Sequence, residues 1–425
     1  MFSKIFHRVL ISCAFLMGAH FFAYGQHDGQ YFKGALKANR DQLYRDIVNN
    51  TIIGNLTLPL KTENEEAWIS AFGAINLLKY KTAFVQTKIS FAANHTTGRS
   101  NDFKKAILEL LNSDYPGQYI PQVKMIYKNA GDDELLFAMA ANYLLPKASA
   151  AERKMMLRDI MQKLRSEPED PILSPLNDQV TDQYATIPSL KPFFSPAYLP
   201  GRVLVFSFQR RDRNFPGIAM VRKADGSFVK NAEGNYFSVG QLARSEGNMP
   251  GYISMGNTPQ GIFRMDGFDT SKSFFIGPTT NIQLTMPFED KISHFYCDSS
   301  ITGPIWAWSQ YGKLLPDNFK DYHPMYGTYY AGEAGRTEII AHGTTIDPGY
   351  YKNISYYPYT PSAGCLVTKE FWDGQTGRLI SSDQLLLTKA VEAAGGPHGY
   401  LIVIEIDDKK APVTLKDLEH LLPIK

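Results

Sequence analysis

The sequence predicts an α+β multidomain chain, a helical N-terminal module followed by a mainly β domain. Three observations lead there. At 425 residues the chain is longer than one ordinary domain, so two or three are expected. Hydrophobic residues make up 44% and charged residues 20%, enough apolar content for substantial cores and too much for global disorder. The apolar periodicity also changes along the chain, from three- and four-residue steps before about residue 165 to short β-like runs after about residue 200.

The first 25 residues read as a signal peptide. Lys4 and Arg8 precede a mainly apolar run from Val9 to Phe22, and Ala23-Tyr24-Gly25 puts small residues where a signal peptidase reads. The run is shorter than the ~20 residues a membrane span needs. The Leu10-Ile11-Ser12-Cys13 stretch has almost no hydrophobic core before it, which argues against a lipoprotein site. No later stretch holds 18 consecutive apolar residues, so the expectation is an exported chain, periplasmic or on the surface of a bacterium, with no membrane span in the mature form.

Residues 26–165 form the helical module. Trp68, Ala71, Phe72, Ile75 and Leu78 share one helical face. Phe103, Ala106, Ile107, Leu110 and Leu111 make a second, and Leu136, Met139, Ala140, Tyr143 and Leu144 a third. Thr62 with Glu65 and Ser149 with Glu152 read as capping boxes. The spacing of the faces hints at stacked helical pairs without residue-level repetition, and the module carries no motif with chemistry. Residues 166–201 read as a Pro-rich linker that cannot sustain a helix. A β domain over 202–407 follows. Its strands are expected at Val203–Phe208, Gly217–Val221, around Phe263, at Ile339–Ala341 and at Tyr400–Ile406. A turn is expected at Asp225-Gly226, one helix near Ser382–Ala394, and a C-terminal tail over 408–425.

Charge excludes little except nucleic acid as an electrostatic partner. Lys and Arg total 44 against 42 Asp and Glu, and without Lys4 and Arg8 the remainder balances at 42 against 42. Three cysteines, one of them in the leader, exclude a disulfide-stapled scaffold and a zinc site of two close Cys pairs. His294, His398 and His420 lack ligand-like spacing, so no metal is expected. Trp306 and Trp308 would share one side of a strand, as core packing or as a platform for a sugar.

Chemistry concentrates at the two ends of one segment. Ile339-Ile340-Ala341-His342-Gly343 is an apolar strand delivering a His into a Gly turn, and Ser362-Ala363-Gly364-Cys365 is a small-residue turn presenting a Cys. A free thiol has a pKa near 8.5, and a neighbouring imidazole can withdraw its proton and later return it to a leaving amine. Glycines at both places let a substrate carbonyl approach backbone N–H groups able to hold an oxyanion. The deduced chemistry is acyl transfer through a thioester. Each residue also has a bland reading, Cys365 as a small buried hydrophobe and His342 as a structural residue. Cys297 is expected in the core, with pairing to Cys365 as the alternative.

These residues resemble the catalytic domain of the YkuD-type L,D-transpeptidases, cysteine enzymes that cross-link or trim bacterial peptidoglycan. The likeness rests on four ordered landmarks. They are Gly256-Asn257-Thr258-Pro259-Gln260-Gly261-Ile262-Phe263, His323-Pro324-Met325-Tyr326, His342-Gly343, and Ser362-Ala363-Gly364-Cys365-Leu366. It implies Cys365 as nucleophile, His342 as proton acceptor and donor, and the Gly343 carbonyl as the group orienting the imidazole. It further implies the Gly364 and Cys365 N–H groups in an oxyanion hole, and Tyr326 and Ser362 lining the substrate groove. The implied substrate is a peptidoglycan stem peptide, opened after meso-diaminopimelate or a similar third residue with release of D-Ala. The acceptor is an amine from a second stem peptide or a protein Lys, and no cofactor or metal takes part. The implied roles are cell-wall biogenesis and cell shape. Ala363 stands where the family usually has His and Val367 where it usually has a polar residue. These departures keep two alternatives open, an L,D-hydrolase or endopeptidase of the same family and a peptidoglycan-binding scaffold with a decayed site.

Overall fold

The computed structural model describes residues 31–301 and 306–422, so the predicted leader at 1–25 lies outside the described residues. The chain divides into two compact units. One ends at Ala148 and includes Trp372–Leu379; the other comprises Ser149–Phe371 and Ile380 onward. The first boundary thus falls before the helix at Ala150–Leu164 instead of after it.

The first unit is helical. Its helices include Glu65–Leu78, Ala83–Asn94, Asn101–Asp114, Ile120–Lys128 and Glu134–Leu144. The first, third and fifth of these pack in series, and the fourth lies on the fifth. All the apolar residues picked out on the three faces are buried except Ala106, which is half-buried. The expected Thr62–Glu65 capping box does not form. Thr62–Asn64 is a short 3-10 turn, and buried Glu65 instead accepts the Ser100 N–H (3.1 Å) and pairs with Arg99 (3.2 Å). A longer-range partner, the start of the Asn101–Asp114 helix, wins over the local cap. Segment Trp372–Leu379 belongs with this unit through Phe32 N–H to Gly377 O (2.8 Å) and Lys37 N–H to Gly374 O (2.7 Å).

The second unit opens with the Ser149–Glu152 capping box, present as expected: Glu152 N–H to Ser149 Oγ at 3.3 Å, Ser149 N–H to the Glu152 carboxylate at 2.7 Å. The Pro-rich stretch contains a helix, Leu173–Thr181, contrary to expectation. Pro175 is its third residue, where a backbone N–H has no intrahelical acceptor to lose. Asp170 caps the start, accepting from Ile172 and Leu173 at 2.9 and 2.6 Å.

One eight-stranded sheet follows. Its strands are β1 (Val203–Arg210), β2 (Gly217–Arg222), β3 (Val239–Gln241), β4 (Gly261–Asp269), β5 (Asn281–Thr285), β6 (Ile340–His342), β7 (Leu366–Val367) and β10 (Gly399–Asp407). The sheet runs β3-β2-β1-β10-β4-β5-β6-β7, and β8 (Glu370–Trp372) and β9 (Leu379–Ser382) pair separately. The pairs β1–β10 and β6–β7 are parallel, the others antiparallel. The two ends of the sheet meet. Leu242, directly after β3, exchanges hydrogen bonds with Val367 of β7 at 2.8 and 2.9 Å, so the sheet curls closed. Inside it lies the helix Asp383–Ala393, whose Leu387, Ala390 and Val391 share one apolar cluster with residues from all eight strands.

Alternation along the strands then sorts the side chains. Val203 and Val205 point to the helix. Phe206 and Phe208 point away and stack on Phe194 of the former linker at 6.2 and 5.5 Å. The stretch expected to be a tail is also built in. Val413 N–H reaches Pro216 O, and buried Arg210 holds Asp407 (2.7 Å) and Asp417 (2.9 Å).

Trp306 and Trp308 do not share a strand. Trp306 is buried with its indole N–H on Asp290 O, and Trp308 starts a five-residue helix and stacks on Tyr326 at 3.5 Å. Cys297 is exposed, not in the core: it follows the short helix Ile292–Tyr296 with φ +53°, and Ile292 and Phe295 fill the interior in its place. Both described cysteines are free thiols. Among the described residues no helix is long and apolar enough to cross a membrane.

Candidate functional site

β6 and β7 pair in parallel register, Ala341 opposite Leu366 and His342 opposite Val367. Ala341 and Leu366 point into the helix-filled side of the sheet. By alternation His342 and Cys365 project from the other face, one strand apart and offset by two residues. The sequence places neither residue near the other; the pairing does.

His342 is buried, and its Nδ1 is hydrogen-bonded to Gly343 O. A carbonyl can only accept, so Nδ1 carries the proton and Nε2 holds the lone pair. Burial pushes the imidazole pKa down to about 4, opposed by the Gly343 bond, so the ring is neutral at neutral pH. The turn after it is held by Glu370, a buried carboxylate that accepts the Thr344 N–H (3.0 Å) and the Ser382 hydroxyl (2.6 Å). A methyl group on Gly343 would lie 2.2 Å from that carboxylate carbon, which is why glycine stands there.

Cys365 keeps a partly exposed surface. Its sulfur accepts the Ile340 N–H at 3.5 Å and donates to Glu338 O at 3.8 Å. Burial pushes the thiol pKa up; the Ile340 N–H and the Arg336 charge pull it down, and Glu338 pushes it up. A buried neutral imidazole and a partly exposed neutral thiol therefore lie on the same face of the sheet, and no hydrogen bond joins them.

The Cys turn is held from several sides. Gly364 has φ +117° and packs so closely that an added methyl would lie 1.9 Å from Arg336 Nη2 and 2.4 Å from Gly256 O. Thr258 Oγ1 donates to Gly364 O at 2.9 Å, which brings the Gly256–Phe263 landmark against the turn. Ser362 Oγ accepts the Gly364 N–H (3.1 Å) and donates to Cys365 O (3.0 Å). Two site expectations shift as a result. Ser362 spends its hydroxyl inside the turn, not on a groove wall. Of the two expected oxyanion donors, the Gly364 N–H is engaged, whereas the Cys365 N–H has no acceptor among the described residues.

Tyr326 is not a groove residue. It is 1% exposed, its ring lies under Trp308, and its hydroxyl donates to Lys320 O at 2.8 Å. Its landmark forms a 3-10 turn in which His323 Nδ1 meets Asp178 Oδ2 at 2.9 Å. Packing demand for a flat ring beneath Trp308 decides its place.

Sequence reasoning missed Arg336, Glu338, Glu289 and Glu370. Arg336 is 6% exposed and donates to the carbonyls of Gly251 (2.5 Å), Asn257 (2.8 Å), Gly256 (2.6 Å) and Gly364 (3.4 Å). Glu338 adopts φ +65°; its N–H donates to Glu289 Oε1 (2.9 Å), which fixes the carbonyl that takes the Cys365 thiol. Glu289 is a carboxyl pushed up by burial. An isolated charged residue in a loop or short strand reads as solvated surface, so no local signal marked these residues. Among the described residues no group of three or more His, Cys, Asp and Glu side chains is placed to hold a metal ion.

No family model, curated protein or solved structure matches this chain.

Proposed function

We propose that this chain is an exported cysteine acyltransferase acting on peptidoglycan stem peptides, an L,D-transpeptidase. One observation carries the reading: a parallel strand pair sets His342 and Cys365 on the same face of the sheet, with the imidazole tautomer fixed so that Nε2 can take a proton. The substrate class and export rest on the resemblance and on the leader.

In the proposed cycle the sulfur loses its proton to Nε2 as it attacks the carbonyl carbon, and a C–S bond forms. The C–N bond of the peptide then breaks, and the imidazolium returns the proton to the departing amine. The Cys365 N–H faces the developing oxyanion. An incoming amine, losing its proton to Nε2, displaces the sulfur and restores the thiol; water in its place gives hydrolysis. Because the resting imidazole and thiol are not bonded, the pair must close on one another when substrate fills the face.

A non-catalytic scaffold is the second reading. The observation in its favour is that same gap, together with a thiol held up by burial.

Incubation of the purified chain with a stem tetrapeptide, with and without a free amine, separates the outcomes by mass. Transfer predicts loss of the terminal residue and gain of the amine, abolished by Cys365→Ala with the fold intact. Loss without gain means hydrolysis. No Cys365-dependent change and no covalent acyl-protein adduct would leave the scaffold.

A further inference from the structure

Arg336 raises a separate question. It is a buried cation with no counter-ion: among the described residues no carboxylate lies within 4.0 Å of its guanidinium. Its guanidinium donates to four backbone carbonyls, on Gly251, Gly256, Asn257 and Gly364. A buried charge without a partner of opposite sign is expensive, and carbonyl dipoles offset only part of that. Arginine suits such a place because it stays ionised and offers a planar fork of donors. Burial lowers its pKa to about 10, with Cys365 and Glu289 acting in the opposite direction. The guanidinium is therefore a cation at neutral pH.

Its location says which anion it awaits. One arm of the fork reaches Gly364 O, the residue before the nucleophile, and the positive φ of Gly364 leaves room for Nη2 where a side chain would otherwise sit. The other carbonyls belong to the 251–257 loop, so the same group locks that loop to the Cys turn. We infer that Arg336 is the positioning residue of this site, a buried guanidinium that fixes the Cys365 turn and supplies the positive charge opposite the thiolate formed there. The inference rests on the acyltransferase reading for its purpose, but not for its physics.

The charged and titratable groups around the sulfur are few. Arg336 favours the thiolate and Glu338, on the same turn, opposes it. Glu289 is spent on the Met286 and Glu338 N–H groups (2.5 and 2.9 Å), and His342 on the neighbouring strand is neutral. Removing Arg336 should thus move the thiol in one direction only, upward.

The test is the pH dependence of Cys365 alkylation by iodoacetamide, read on the Cys365 peptide by mass so that exposed Cys297 does not interfere. Arg336→Gln is expected to raise the midpoint by about one pH unit or more, which is about a tenfold slower reaction below the midpoint. Arg336→Lys, which keeps the charge, is expected to recover at least half of that. A purely structural role would lower the melting temperature and leave the midpoint of the folded protein where it was, and that result overturns the inference.

If Arg336→Gln does not fold, the native Arg336 background serves. Cys365→Asp places a fixed anion at the site and is expected to melt no lower than Cys365→Asn above pH 6. A lower melting temperature for the Asp protein overturns the inference. A shifted midpoint with no turnover of stem peptides would remove the acyltransferase reading alone; turnover with an unshifted midpoint would remove only the role of Arg336.

Discussion

Strands β1 and β10 run eight and nine residues side by side at the middle of the sheet, whereas β6 and β7 are three and two residues long, with His342 ending β6 and Cys365 directly preceding β7. The middle is buried on both faces, against the Asp383–Ala393 helix on one side and a stack of phenylalanines on the other. Ladder hydrogen bonds and apolar burial hold it. The short end has too little ladder for that. It is held by groups reaching in from elsewhere: Arg336 and Thr258 on Gly364 O, Ser362 within its own turn, Glu370 on the Thr344 N–H, and Leu242 on Val367. The contrast separates two jobs. Long paired strands supply the frame, and a short pair pinned by polar contacts positions a buried imidazole and a partly exposed thiol on one face.

Three changes would break or sharpen that contrast. The largest effect is expected from Gly364→Ala. Its methyl would overlap both Arg336 Nη2 and Gly256 O in a backbone conformation L-residues avoid, at a cost of about 4 kcal/mol. Urea unfolding measures it; a loss below about 1 kcal/mol would mean that the turn is not pinned as described.

Next comes acid sensitivity at the short end. The imidazole pKa is about 6.5 unfolded and about 4 folded, so between those values the unfolded chain binds the extra proton and stability falls as pH falls. The contribution is fully present above pH ~6.5 and fully lost below pH ~4, and amounts to about 3 kcal/mol. Unfolding titrations from pH 7 to 4 should therefore show a steeper loss for the native protein than for His342→Gln. Parallel curves would place the imidazole in solvent.

The smallest effect is expected at the middle. Val403→Ala, in β10 with no exposed surface, should cost about 2 kcal/mol and leave the alkylation rate of Cys365 in the folded protein unchanged. A changed rate would mean that frame and site are coupled.

Much of the frame was legible beforehand. The helical faces, the Ser149 box, the five expected strand runs and the Ser382–Ala394 helix lie within a residue or two of where they form. Each depends on interactions among residues a few positions apart, which periodicity records. Three of the misplacements share one cause. Glu65 left its own cap for Ser100, Tyr326 left the groove for Trp308, Ser362 turned inward to the Gly364 N–H, and Pro175 sits harmlessly in a first helical turn. In the first three, a partner distant in sequence or within a tight turn outcompeted the local reading, and sequence spacing says nothing of such partners.

Residue order by itself determined which side chains have chemistry to offer, where the helical region gives way to the β region, and that a thiol and an imidazole each lie beside glycine. Only folding decided that β6 and β7 run parallel with those two side chains on one face, that the Gly364 N–H is already spent, and that a guanidinium from a turn comes to rest beside the cysteine. Register and the occupancy of backbone donors are set by contacts between distant segments, which become definite when the sheet curls shut at Leu242 and Val367.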